Sequence, residues 1–160
     1  MILPDYQLRT WANGGGVKPF DIARINPASI DLCWSGRWKL ASRTGWSKLE
    51  ESESLVLMQG QFFLLDTLEN IIIPDDCCGL LALKSSLGRK GLEHLHAGWF
   101  DAGFHGTGTL EVECRAPWEL VLTKGQPIVQ ISLIRMEGVP EANYRQTGRY
   151  NGQSTPQEAK

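Results

Sequence analysis

The stretch SLVLMQGQFFLLDTLENIIIPDD, residues 54–76, consists of short apolar, β-rich runs punctuated by Gly60 and Pro74. Runs of this kind fit strands better than an amphipathic helix, whose apolar positions return every three to four residues. The pattern extends through GLLAL (79–83), GTGTLEVEC (106–114), WELVLTKGQ (118–126) and PIVQISLIRM (127–136). The chain therefore reads as all-β, a sandwich, barrel or jelly roll. Helices are few: one is predicted from near Pro4 through Gln7 and Trp11 to a stop at Gly14, Gly15 and Gly16, and a single turn at Ser85–Lys90.

Length and composition narrow the function. The 160 residues form one domain, with 42% hydrophobic and 21% charged residues. A net charge of -2 argues against a general nucleic-acid binder, which needs a basic surface to displace counterions; a small anionic ligand needs only a few local cations. No apolar run approaches the roughly 20 residues of a membrane span, and MILPDYQLRT has no signal-peptide pattern, so a cytoplasmic protein without membrane contact is expected. Cys33, Cys77, Cys78 and Cys114 lack zinc-ligand spacing and read as buried reduced thiols.

Polar chemistry gathers between residues 84 and 113. Ser85, Ser86 and Arg89 sit where a short helical turn would direct free N–H groups, hydroxyls and a guanidinium at an anion, although the same residues occur in plain turns. Asp101 lies in WFDAGFHG, where local sequence favours an Asx turn. Glu111 and Glu113 share one face of a strand, and Leu110 and Val112 the other. A glutamate face is ordinarily wet; if it points inward, one carboxylate becomes a candidate general base. His94, His96 and His105 read as surface or hydrogen-bonding side chains rather than zinc ligands. The polar tail GRYNGQSTPQEAK (148–160) fits either a disordered end or a flap that orders over a ligand.

The order and spacing of six blocks resemble the dCTP deaminase family of the trimeric dUTPase superfamily. They are MILPDYQLR with NPASIDL (Asn26–Leu32), FLLDTLENIIIPDD (Phe63–Asp76), KSSLGRKGL (Lys84–Leu92), AGWFDAGFHGTGTLE (Ala97–Glu111), KGQPIVQISL (Lys124–Leu133), and Tyr144 with GRYNGQ (Gly148–Gln153). The resemblance covers nearly the whole chain. It implies a distorted β-barrel or jelly-roll-like dUTPase-type fold, one domain over residues 1–160 with 145–160 as a flexible C-terminal lid, and a homotrimer with sites between subunits. It further implies dCTP or dUTP bound with Mg2+, and deamination at cytosine C4 without zinc. On the matching positions Glu111 shuttles the proton, Ser85 holds the attacking water and Arg89 supports that site or the phosphates. Lys84 and Ser86 extend the phosphate turn, Asp101 meets the 3′-hydroxyl, Thr109 and Gln130 contact substrate, and Tyr144, Arg149 and Gln153 close the lid.

Two departures stand out. Lys84 occupies the usual arginine position, and the interval from Gly91 to Asp101 is one residue short, with His96 near the usual threonine. AGWFDAG looks closer to the bifunctional members, which implies that diphosphate release to dUMP accompanies deamination. A dUTP diphosphatase is the first alternative, favoured by the short loop and disfavoured by Glu111. A non-catalytic nucleotide-binding regulatory trimer is the second.

Overall fold

Strand pairing in the computed structural model, which describes residues 1–95 and 97–159, runs antiparallel throughout the main sheet. Helix α1 (Asp5–Trp11) is followed by β1 (Val17–Lys18), β2 (Ile25–Asn26), β3 (Ser29–Ser42), β4 (Gly45–Trp46) and β5 (Glu50–Glu51). Then come β6 (Ser54–Leu57), β7 (Phe62–Ile72), β8 (Cys77–Leu83), α2 (Ser85–Gly88), β9 (Leu92–His94) and β10 (Trp99–Phe100). The chain continues through β11 (His105–Cys114), β12 (Leu120–Thr123), β13 (Pro127–Arg135) and α3 (Tyr144–Thr147). The sheet order is β10-β8-β13-β3-β7-β11-β9, curled into a half-barrel, while β12 and β6 form a separate ribbon.

The opening stretch folds as its composition dictates, with its breaks redistributed. Gly60 (φ 76) and the Gln61 side chain, which accepts from the Met58 N–H at 2.8 Å, turn the chain between β6 and β7. FFLLDT and ENII then run as one strand, because no breaker separates them. Leu110 and Val112 on β11, both 0% exposed, meet Leu65 and Phe63 of β7 in the core. Helix α1 follows Pro4, and Gly15 (φ 93) ends the turn after it. The four cysteines are buried and free. Burial pushes the Cys33 thiol up to about 12 and Cys77 to about 11, so both stay protonated. Among the described residues no helix is long and apolar enough to cross a membrane.

Strand β3 is the longest, and its sequence conceals it. Ser35, Gly36 (φ 95) and Arg37 break the alternation and shift the register between Trp34 and Trp38. This irregularity lets one strand pair β13 at its start and β7 at its end, which bends the sheet. It also delivers Arg37, whose Nη2 lies 2.6 Å from Oδ2 of the wholly buried Asp66, while the Ser35 hydroxyl donates to Oδ1.

Burial lifts the Asp66 carboxyl to about 6, against the pull of Ser35 and Arg37. A folded-state value above the ordinary 3.8 means that the folded chain holds this proton more tightly than the unfolded chain does. The stability linked to it is complete below about pH 4 and is lost as pH rises through about 6. Urea midpoints followed across that window are expected to lose this component in Asp66→Asn relative to the unsubstituted chain.

Candidate active site

Glu111 projects from the side of β11 opposite Leu110 and Val112, so the register that buries the leucine fixes the glutamate's direction. Its carboxylate reaches a cavity of about 420 Å³, a size suited to a small ligand. The glutamate face is thus neither wet nor core. The Glu111 side chain is 27% exposed, and its Oε2 is buried without a hydrogen-bond partner among the described residues. Loss of water pushes the carboxyl up from its ordinary value. Glu113, on the same face, instead turns to Arg115 at 3.2 Å.

Asp101, Thr109, Tyr144 and Gln153 border the same cavity. Asp101 makes no Asx turn: its Oδ1 accepts from the Trp99 indole N–H at 3.1 Å, while its backbone carbonyl closes the turn to Phe104. That arrangement leaves the second carboxylate oxygen available to a ligand. Phe100 and Phe104 pack edge to face at 4.7 Å, and Tyr144 leans on Phe104 at 5.8 Å, forming an apolar wall.

The tail lies against this cavity. The Gln153 carbonyl accepts from Thr107 N–H at 2.9 Å and its side-chain amide donates to the Thr107 carbonyl. Farther on, Pro156 is buried, the Gln157 N–H donates to the Thr109 hydroxyl at 3.1 Å, and Glu158 meets Lys39 at 2.6 Å.

The remaining expected site residues lie elsewhere in the single chain. Lys84, Ser85, Ser86, Arg89, Gln130 and Arg149 do not border the Glu111 cavity. Gln130 sits opposite Asp31 and Ala82 on neighbouring strands, Lys84 is ion-paired with Asp31, and Ser85, Ser86 and Arg89 are exposed on and just after α2. The curl of the sheet brings α2 against β9, the neighbour of β11, but Ser85, Ser86 and Arg89 are exposed to solvent and do not line the cavity. The expected residues thus fall into two groups: a carboxylate-and-aromatic group around Glu111 and a polar group on and near α2.

Sequence reasoning missed Trp46, Phe62 and Leu64, which line the cavity beside Glu111. Leu64 is the cross-strand partner of Glu111, and the Trp46 and Phe62 rings lie 5.2 Å apart. Only strand register connects these positions, and no local motif marks them. His105 is exposed as expected, whereas His94 is 3% exposed, its Nε2 3.8 Å from Glu111 Oε2. His96 falls outside the described residues.

The curled antiparallel half-barrel is a dUTPase-type fold. The crystal structure of 2′-deoxycytidine 5′-triphosphate deaminase from Agrobacterium tumefaciens superposes with a TM-score of 0.72 at 22% identity, covering 82% of this chain and 47% of that one. This chain thus spans about half the length of that structure's chain. A dUTPase from phage phi11 of S. aureus superposes at 0.52 with 17% identity, over 73% of this chain and 81% of its own.

Sequence comparison reaches further than fold. The family model described as dCTP deaminase-like matches residues 2–136. Proteins called "dCTP deaminase, dUMP-forming" from Mycobacterium avium (strain 104) and Rhodococcus jostii (strain RHA1) are 35% and 34% identical to the chain over 177 and 181 aligned positions. These alignments cover 98% and 100% of this chain and 93% and 96% of those relatives. The chain belongs to the dCTP deaminase family.

Proposed function

We propose that the protein converts dCTP and water to dUTP and ammonia, and with a second water carries the product on to dUMP and diphosphate. The observation that carries this reading is Glu111, a carboxylate half-withdrawn from water on the wall of a nucleotide-sized cavity. Its relatives' designation supports the substrate and the dUMP product.

Glu111 takes one proton from the attacking water and delivers it to N3, then takes the proton of the hydroxyl added at C4 and delivers it to the amine, which leaves as ammonia while C4 keeps the oxygen as a carbonyl. The reaction's proton traffic thus passes through one carboxyl, with an effect on the order of 10² to 10⁴ in rate. Activation of water by this carboxylate makes zinc unnecessary in the proposal, and the buried, protonated Cys33 and Cys77 are poor candidates for metal-binding thiolates. Asp101 receives the 3′-hydroxyl, and the wall of Trp99, Phe100 and Phe104 stands close to the sugar.

The exposed Ser85, Ser86 and Arg89 suit a triphosphate, offering hydroxyls and a fork of N–H donors, with Lys84 and Gln130 alongside. Magnesium entering with the nucleotide neutralises phosphate charge. Since these groups lie apart from Glu111 within one chain, the complete site is assigned to a homotrimer in which α2 of one subunit faces the next subunit's cavity. Exposed Leu80, Leu95 and Trp99 near the ends of the curled sheet suit coverage by a neighbour. The enzyme acts on free nucleotides in the cytoplasm.

Separate incubations of purified protein with dCTP and with dUTP, each with magnesium, followed by chromatographic separation of dCTP, dUTP and dUMP, test the assignment. Accumulation of dUMP is expected. Turnover of dUTP alone would identify a diphosphatase, and binding without turnover a regulator.

The lid assignment has its own test. Truncation after Gly148 removes Arg149, Gln153 and Gln157 together with the hydrogen bonds to Thr107 and Thr109. Loss of turnover on the order of 10² is expected from misaligned phosphates and admitted water. The melting temperature should fall by only a few degrees, the shift that about 1 kcal/mol produces in a domain of this size.

A further inference from the structure

Strand β9 brings a second titratable side chain to the back of Glu111. His94 pairs with Val112, one residue along β11, and its imidazole is almost fully enclosed. Its Nε2 stands 3.8 Å from Glu111 Oε2. That oxygen is the buried one, with no hydrogen-bond partner among the described residues. A buried carboxylate oxygen left without a donor is costly, so the arrangement calls for one at this position. The distance is too long for a hydrogen bond but short enough that a small rotation of the carboxylate closes it.

Among the described residues, the His94 imidazole stands within ion-pairing distance of that oxygen. On β11, Glu113 is turned to Arg115. Glu93 is the cross-strand partner of Glu113 and shares the sheet face of Glu113 and Glu111, on the side of β9 opposite to His94. Of the elements packed against β9, β8 leads to Lys84, which is held by Asp31, and α2 contributes the buried Leu87 with Ser85, Ser86 and Arg89 exposed.

We propose that His94 is a positioning residue for Glu111, donating from Nε2 to the inner oxygen so that the outer oxygen faces the reacting water. The inference rests on Glu111 being the proton carrier. The pair also balances charge. Burial disfavours the ionised carboxylate, and an imidazolium beside it restores that form.

The sign of the test follows. Without the imidazole, the carboxyl gains its proton at a higher pH, so the acid limb of the kcat profile moves upward. In His94→Leu, kcat should fall about 10- to 100-fold, with the dCTP KM changed less than about threefold, as when a transition-state interaction alone is lost. His94→Gln restores a donor at similar reach without a titratable ring. It should recover much of kcat at neutral pH while keeping the upward-shifted acid limb.

A direct titration of the Glu111 side-chain carbonyl by ¹³C NMR in the ligand-free protein supplies a readout independent of turnover, and it should show the same upward shift in both variants. An acid limb and a carboxyl titration unchanged in His94→Gln would overturn the proposal, even if His94→Leu failed to fold. A shifted titration in a protein without deaminase activity would instead leave the pair standing and remove the proposed reaction.

Discussion

Glu111→Gln is expected to leave the fold and nucleotide binding intact and to slow deamination by on the order of 10² to 10⁴, the usual share of a positioned acid–base group. Glutamine has nearly the same shape and remains polar, so the core contacts of Leu110 and Val112 on the opposite face of β11 are untouched. What disappears is the ability to take a proton from water and give it back. The loss should therefore fall on kcat, with little change in the affinity for dCTP measured by calorimetry. Turnover close to that of the unsubstituted enzyme would remove Glu111 from its role. Glu113, already engaged by Arg115 outside the cavity, should tolerate the same change with a much smaller loss.

A second large effect is expected from mixing two inactive variants. If Ser85 and Arg89 serve the cavity of a neighbouring subunit, Ser85→Ala and Glu111→Gln damage different contributors to each shared site. Each variant alone should be nearly inactive. When the two are unfolded and refolded together in equal amounts, a site is intact where a chain carrying Glu111 meets a neighbour carrying Ser85. Random assortment into closed trimers gives one such site in four, or about a quarter of full turnover. Recovery near zero, with mixed trimers verified by mass, would mean that both groups act within one chain and would contradict the cross-subunit assignment.

Much of the scaffold was legible in the sequence because two of its long strands are largely apolar, β-rich runs with no Gly or Pro in their interiors. Residues 62–72 and 127–135 have little alternative to burial within a sheet. Strand β3 was not legible, since Ser35, Gly36 and Arg37 interrupt it with polar and flexible residues. The partner that makes them acceptable, Asp66, is distant in sequence. Motif reading identified Glu111, Asp101, Thr109, Tyr144 and Gln153, all of which border the cavity. It could not separate the α2 group from them, because their relation depends on sheet curvature and not on spacing. Trp46 reaches the cavity from a short hairpin whose sequence, SRTGW, carries no sign of an inward-facing indole. His94 likewise owes its burial to pairing with β11, which a reading of isolated histidines does not supply.

The Gln157 N–H and the Thr109 hydroxyl form a contact that a nucleotide contacting Thr109 would have to share or displace. With Glu158 held by Lys39, the last described residues act as a resident occupant of part of the binding space. Productive capture then requires a vacated state, and apparent affinity equals the intrinsic affinity scaled by the fraction of time that state exists. Strengthening the tail's hold would make the empty enzyme more robust and a poorer scavenger of scarce nucleotide; loosening it would do the reverse. Under the proposed function, the residues from Gln157 onward would set a concentration threshold as well as a cover, with Thr109 at the point where the two duties meet.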